Sequence, residues 1–122
     1  MTKLAYKVEM YMDNKEQLIE AIDNYAGYSS GCRTILKLLV ELSIDNVAYI
    51  SVMQLSEISS LSKEKVYQAL DLFQKDNFIE KNKGKMNTTK GITLKSDRFD
   101  QLVQFHKKKT ELQEKYKKIY KK

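Results

Sequence analysis

Two short stretches of the chain hold the side chains whose types and spacing suit chemistry. The first combines hydroxyl, ammonium, carboxylate, phenol and amide groups at the outward positions of a predicted helix: Ser62, Lys63, Glu64, Lys65, Tyr67 and Gln68. The second is a polar segment rich in lysine, and its relevant residues are Lys81, Lys83, Lys85, Asn87, Thr88 and Lys90. Ammonium groups neutralise phosphate, and amides and hydroxyls hydrogen-bond to its oxygens, so this chemistry suits a polyanionic ligand.

The sequence offers little to an enzyme or a metal site. Cys32 is the only cysteine and His106 the only histidine, which together cannot build a typical zinc site. No serine, histidine and aspartate arrangement with a usable histidine stands out, and four glycines leave no glycine-rich phosphate loop. We expect Cys32 in a core or an interface rather than as a redox switch. The prediction is therefore no enzymatic activity, no metal and no cofactor.

Charge is distributed unevenly along the chain, whose formal net charge is +6. Residues 1–80 carry 8 basic and 12 acidic residues, whereas residues 81–98 carry 6 and 1, and residues 99–122 carry 8 and 3. A basic zone on an otherwise acidic chain favours a polyanionic partner, either a nucleic acid or a membrane surface. The alternative is a solvated helix face with no partner.

The first half of the chain predicts an extension followed by a buried helix. Residues Leu4 to Met12 alternate apolar and other side chains, which favours a strand, and Asn14 then caps a helix that Gly27 ends in a left-handed conformation. Ser29, Ser30 and Gly31 form a break before a mostly apolar helix from about Arg33 to Ser43. Asp45 and Asn46 mark a turn, and Val47 to Ile50 is β-prone.

Two capped helices and a hairpin follow. Ser51 and Gln54 form a capping box for a short helix that reaches about Ile58. After a tight turn, Ser62 caps a second helix, Lys63 to Lys75, which ends at Asp76 and Asn77 and whose core face is Val66, Ala69, Leu70 and Phe73. Residues 78–81 and 92–94 are predicted to be two strands of a hairpin, joined by the polar turn 82–91.

This order and the stretch LSEISSLSKEKVYQALDLFQKDNFIEK resemble winged helix-turn-helix domains. The resemblance covers residues 33–94. The domains that this stretch resembles include those of small bacterial regulators of the MarR and ArsR type and those of plasmid replication initiators. Glycine is usual in the turn and before the wing, where this chain has Ser60 and Asn77. The resemblance implies a mainly α fold with a small β-hairpin (α+β), in which residues 31–96 form the winged domain between an N-terminal extension, 1–30, and a C-terminal helix, 97–122.

The resemblance implies sequence-specific binding of double-stranded DNA by a transcriptional or plasmid-maintenance regulator. The helix that begins after Ser62 would enter the major groove, where Gln68 suits adenine, Lys65 guanine and Glu64 the cytosine amine. Lysines of the wing would contact phosphates. Two alternatives remain open: a winged-helix adaptor that binds proteins, because the helix has a net charge of only +1, and a plasmid replication initiator.

The last segment predicts a long basic helix from about Asp97 to Tyr120. Its apolar positions follow a heptad interrupted by Lys109, which favours a homodimer interface made of Leu102, Phe105, Leu112, Tyr116 and Ile119. The alternatives are a helix that folds back on its own domain and a basic amphipathic helix on anionic lipid. Because no apolar run approaches a membrane span and no secretory signal is visible, we expect a cytoplasmic protein without membrane contact.

Overall fold

Residues 15–81 and 91–120 are described by the computed structural model of the protein. They form a mainly helical fold with a small antiparallel sheet, which confirms the predicted α+β class. Helix α1 covers residues 15–23. The other elements are α2 (Ser30–Leu42), β1 (Ser43–Ile44), β2 (Val47–Ala48), α3 (Val52–Ser59), α4 (Lys63–Lys75), β3 (Ile79–Lys81), β4 (Ile92–Leu94) and α5 (Ser96–Tyr120). The predicted strand Leu4 to Met12, its neighbour Asn14 and residues 82–90 of the predicted turn lie outside the described residues.

The connection from α1 to α2 differs from the sequence prediction. No described glycine has a positive φ, so the expected left-handed end at Gly27 is wrong. Helix α1 ends earlier, where the Asn24 side-chain amide donates to the Glu20 carbonyl oxygen at 2.9 Å. The predicted break before α2 is confirmed at Ser29, whose hydroxyl accepts from the Cys32 amide as the N-cap, but it is wrong for Ser30 and Gly31, which belong to α2.

A two-residue hairpin that the sequence did not predict follows α2. Asp45 and Asn46 have φ of 53° and 67°, which is the left-handed pair of a type I′ turn. This turn pairs Ser43 with Ala48 across β1 and β2. The predicted turn is confirmed, whereas α2 stops one residue before the expected end and β2 is shorter than the β-prone run.

The two capped helices follow their sequence signals closely. The Ser51 capping box is present, and the Ser62 hydroxyl accepts from the Lys65 amide at 3.2 Å to start α4. Ser60 and Asn77 adopt φ of 62° and 66°, so both residues are in the left-handed conformation that favours glycine. These are the two positions at which the sequence resemblance led us to expect glycine. The predicted core face of α4 is confirmed, since its four members are at most 2% exposed.

The strands form one sheet in the order β1-β2-β4-β3, with every pair antiparallel. The predicted hairpin is confirmed by β3 and β4, which pair Ile79 with Leu94 and Lys81 with Ile92. Strand β4 also pairs with β2. The sheet therefore joins the hairpin to the middle of the chain.

One hydrophobic core joins the helices and the sheet, and it reaches α5 only through the first turns of that helix. Its centre is formed by α2, α3 and α4, and α1 contributes Ala21 and Ile22. The first turns of α5 contribute Phe99, Leu102 and Val103. Both flanking segments are thus packed onto the central helices, and this packing fixes α4 relative to α5.

Candidate functional site

The outer face of α4 is exposed along its whole length. Val66 at 0% exposure anchors the inner face, and the positions predicted to bind a ligand are all exposed: Ser62, Lys63, Glu64, Lys65, Tyr67 and Gln68. Tyr67 is 53% exposed, a large apolar ring on a polar face. The structure therefore brings these six predicted residues together on the first two turns of one helix.

The turn between α3 and α4 sets the direction of this helix. The Ser56 hydroxyl donates to the Leu61 carbonyl oxygen at 2.6 Å, and the Leu61 amide donates to the Ser59 hydroxyl at 3.2 Å. Leu55 is fully buried beneath the turn. These contacts hold the N-terminus of α4 at the surface, where amide groups not used by the Ser62 cap are accessible to an anion.

A polar network that no sequence pattern predicted holds the other end of α4. The Tyr28 hydroxyl donates to the Asp76 carboxylate at 2.6 Å, and Arg98 Nε donates to the Asp76 carbonyl oxygen at 3.1 Å. The Arg98 guanidinium lies 4.2 Å from the centre of the Phe78 ring. Burial and the hydrogen bond to Asp76 raise the pKa of the Tyr28 hydroxyl well above its ordinary value. No local pattern reveals partners so far apart in sequence.

The hairpin residues are only partly described. Lys81 is the last residue of β3 and pairs with Ile92 of β4, so its backbone lies in the sheet. Lys83, Lys85, Asn87, Thr88 and Lys90 belong to the segment that joins these strands and lie outside the described residues. Their predicted contact with phosphate stays a prediction.

Helix α5 divides into a packed half and an exposed half. Leu102 is 2% exposed and lies in the core of its own chain, which corrects its predicted place in a dimer interface. Phe105, Leu112 and Tyr116 are 59%, 42% and 50% exposed. The side chain of Ile119 lies outside the described residues. The predicted seam thus keeps three described apolar positions that a second chain could cover.

The packed half of α5 lies against the C-terminal end of α1. Lys109 Nζ donates to the Asn24 carbonyl oxygen at 3.0 Å, and His106 Nε2 lies 3.3 Å from a Glu20 carboxylate oxygen. These contacts explain why Lys109 interrupts the apolar seam, since its ammonium caps α1. The first half of the helix therefore folds back on its own domain, as one of the alternatives for this segment expected.

No group of three or more potential metal ligands occurs in residues 15–81 and 91–120. None of the helices described there has the length and apolarity to cross a bilayer. Comparisons of the chain with protein-family models, with curated proteins and with solved structures gave no match.

Proposed function

We propose that the chain is a winged helix-turn-helix protein that binds double-stranded DNA in the cytoplasm. It acts as a homodimeric regulator of transcription or plasmid maintenance. The observation that carries this proposal is the exposed face of α4, because its ammonium, amide and phenol groups lie on a helix with a firmly buried opposite side. A helix of 13 residues is about 20 Å long, which suits the major groove.

The order of the elements supports the fold part of the proposal. Helices α2, α3 and α4 pack on one another, and β3 and β4 follow α4 directly, as a wing would. Strand β2 lies between α2 and α3 in sequence and pairs with β4. Within the four-stranded sheet, β2, β4 and β3 thus place an early strand beside the hairpin, as the proposed winged helix-turn-helix fold would have it.

Recognition would divide between two kinds of contact. Gln68 and Lys65 present hydrogen-bonding groups for adenine and guanine, respectively, while Lys63 and Ser62 at the helix start lie where phosphate oxygens approach. The net charge of α4 is only +1, so this helix would contribute little of the attraction to DNA, and we assign it to contacts with bases. Attraction to the DNA backbone would come from the hairpin lysines and from the lysines of α5.

A homodimer would give the protein a paired site on DNA. Two copies related by a two-fold axis would present their α4 helices about 34 Å apart, one turn of the duplex. The exposed apolar positions of α5 supply a surface for this association. Such a dimer predicts a palindromic or near-palindromic site.

The test is a titration of random duplex DNA over a series of salt concentrations. Wild-type affinity should fall steeply with salt, because each neutralised phosphate releases condensed cations. Replacing Lys83, Lys85 and Lys90 with alanine should flatten the dependence by about 0.9 in logarithmic slope for each phosphate that the variant no longer neutralises. A matched control is Lys37→Ala, whose ammonium pairs with Asp23 away from this face. An unchanged slope in the triple variant contradicts the assigned contacts.

A second candidate is a winged-helix adaptor that binds another protein. The low net charge of α4 and the exposed ring of Tyr67 favour it, since aromatic side chains are enriched where proteins meet. The same titration separates the two functions. A folded chain that binds no duplex even at low salt supports the adaptor and overturns the DNA proposal.

A further inference from the structure

An apolar groove lies between the end of α2, the β1–β2 hairpin and α3. Its volume is about 470 Å³. Four apolar side chains that line it are exposed: Leu42 (41%), Ile44 (70%), Tyr49 (65%) and Ile58 (55%). Single exposed apolar side chains are ordinary, but a contiguous group around a depression marks a contact surface. We call this surface the β1–β2 groove.

The described chain begins beside the β1–β2 groove. The ammonium group of Lys15, the first described residue, donates to the carbonyl oxygens of Ser43 and Glu41 at 2.9 and 3.4 Å. Ser43 stands in β1 between Leu42 and Ile44, two of the residues that line the groove. Because β1 is an edge strand of the sheet, only the width of this strand separates Lys15 from the groove.

The sequence before Lys15 suits the groove in composition and in length. Apolar residues occur there at every second position, namely Leu4, Tyr6, Val8, Met10 and Met12. In an extended conformation, alternate side chains lie on one side of the chain. Met12 is three residues from Lys15, a reach of about 10 Å, whereas neighbouring strands lie only about 4.8 Å apart. We call residues 4–12 the N-terminal segment, and its apolar side can pass around β1 to the groove.

A second depression beside Lys15 offers less apolar surface to this segment. It lies between α1 and α5 and has a volume of about 690 Å³. Its apolar lining includes Val40, Phe99 and Val103, which are already only 1%, 2% and 8% exposed. The hydrophobic gain is proportional to the apolar area removed from water. The β1–β2 groove, with its more exposed side chains, is therefore the favoured place.

The segment would contact the groove through side chains rather than as an added strand. The Ser43 amide of the edge strand β1 donates to the Val40 carbonyl oxygen, and the Ser43 carbonyl oxygen accepts from Lys15. Both backbone groups of this residue are thus already paired, so the edge of β1 offers little to a further strand. Apolar contact with Ile44, Tyr49 and Ile58 remains.

We propose that the N-terminal segment docks with its apolar side in the β1–β2 groove of the same chain. The short connection through Lys15 selects this occupant, because a tethered segment binds at a far higher effective concentration than a separate chain. Docking removes Ile44, Tyr49 and Ile58 from water and makes the segment part of the domain. The inference depends neither on DNA binding nor on a homodimer.

Thiol labelling of the full chain tests the docking in the absence of DNA. The reporter is Glu57→Cys, at an exposed position that lines the groove, combined with Cys32→Ala to remove the natural thiol. The segment variant carries Val8→Ser, Met10→Ser and Met12→Ser. It should label at position 57 at least about tenfold faster, because the groove is no longer shielded. The matched control replaces Lys7 and Glu9, on the other side of an extended segment, with serine and should leave the rate unchanged.

A second reporter, Gln74→Cys, lies at an exposed position at the far end of α4. With the native segment, position 57 should label at least about tenfold more slowly than position 74, although both positions are exposed in the described chain. Equal labelling at the two positions overturns the docking, as does a rate at position 57 that the segment variant leaves unchanged. Protection that is lost on dilution, as the mass falls to that of the 14.3 kDa chain, assigns the cover to a second copy and overturns docking within one chain. Circular dichroism verifies that each variant is folded.

Discussion

The Tyr28 hydroxyl donates a hydrogen bond of 2.6 Å to the carboxylate of Asp76, which lies 48 residues further along the chain. Tyr28 is 5% exposed and packs against the rings of Tyr25, Phe73 and Phe78. Asp76 is the C-terminal cap of α4. This contact therefore attaches the segment after α1 to the end of the proposed recognition helix.

Removing that hydroxyl should lower stability and change its dependence on pH. Tyr28→Phe should reduce the free energy of unfolding near neutral pH by about 1 kcal/mol, because the partly buried Asp76 carboxylate loses its donor. Because the pKa of Tyr28 is raised in the folded chain, its hydroxyl loses the proton at a lower pH in the unfolded chain than in the folded chain. Stability is full below the ordinary tyrosine pKa of about 10 and falls above it, by up to about 1.4 kcal/mol per pH unit.

Urea titrations at several alkaline pH values measure this effect as a difference between the two proteins. The gap between wild type and Tyr28→Phe should narrow as the pH rises above about 10, since the variant lacks this titrating group. Tyr67→Phe is the matched control, because Tyr67 is 53% exposed. A gap that stays constant with pH would show that the hydrogen bond does not favour the protonated hydroxyl.

Replacing glycine with alanine should raise stability at one position and lower it at another. A Cβ at Gly31 would lie 3.6 Å from Leu61, an ordinary contact, so Gly31→Ala in α2 should stabilise the chain by about 0.5–1 kcal/mol. A Cβ at Gly91 would overlap a Val47 methyl, so Gly91→Ala should destabilise the chain by about 1–3 kcal/mol. Thermal unfolding of both variants measures the difference, and equal shifts would contradict the close packing of β4 on β2.

Local signals predicted the central helices well. The hydroxyls of Ser51 and Ser62 cap helices through amides three residues ahead, so the pattern that causes each start is visible within one turn of sequence. Because the apolar residues of α4 recur at helical spacing, taking Val66 as buried identifies which residues of the helix are exposed. The exposed positions of the α4 residues could therefore be predicted from the sequence, whereas the phosphate contacts of the hairpin lysines stay a prediction.

Features decided by distant contacts could not be predicted in this way. Asp45 and Asn46 predicted a turn, yet the hairpin around them depends on pairing with β4. Leu102 fits a heptad, but the core of its own chain takes that side chain. In each case tertiary packing chose among options that the local sequence left open.

The N-cap of α4 should contribute measurably to stability. Ser62→Ala removes the acceptor of the Lys65 amide and should lower the free energy of unfolding by about 1 kcal/mol, whereas Ser62→Gly should cost only a few tenths. Ser62→Asp should match wild type, because a carboxylate both caps the helix and favours its positive end. Urea unfolding measures the series. An equal loss of unfolding free energy in the alanine and aspartate variants would mean that an acceptor for the Lys65 amide does not stabilise α4.

Substitutions in α4 should distinguish contacts with bases from contacts with phosphates. Gln68→Ala should weaken binding to the selected DNA site by about 1–3 kcal/mol and relax the preference at one base pair, with little effect on random duplex. Lys63→Ala should weaken both equally and reduce the salt slope by about 1, as expected for a phosphate contact. The comparison needs a site selected from random sequences and titrations of both DNAs. The control is Gln74→Ala, which removes an exposed amide at the far end of the same helix. An equal loss of affinity in the Gln74 and Gln68 variants would contradict the proposal that α4 binds in the major groove.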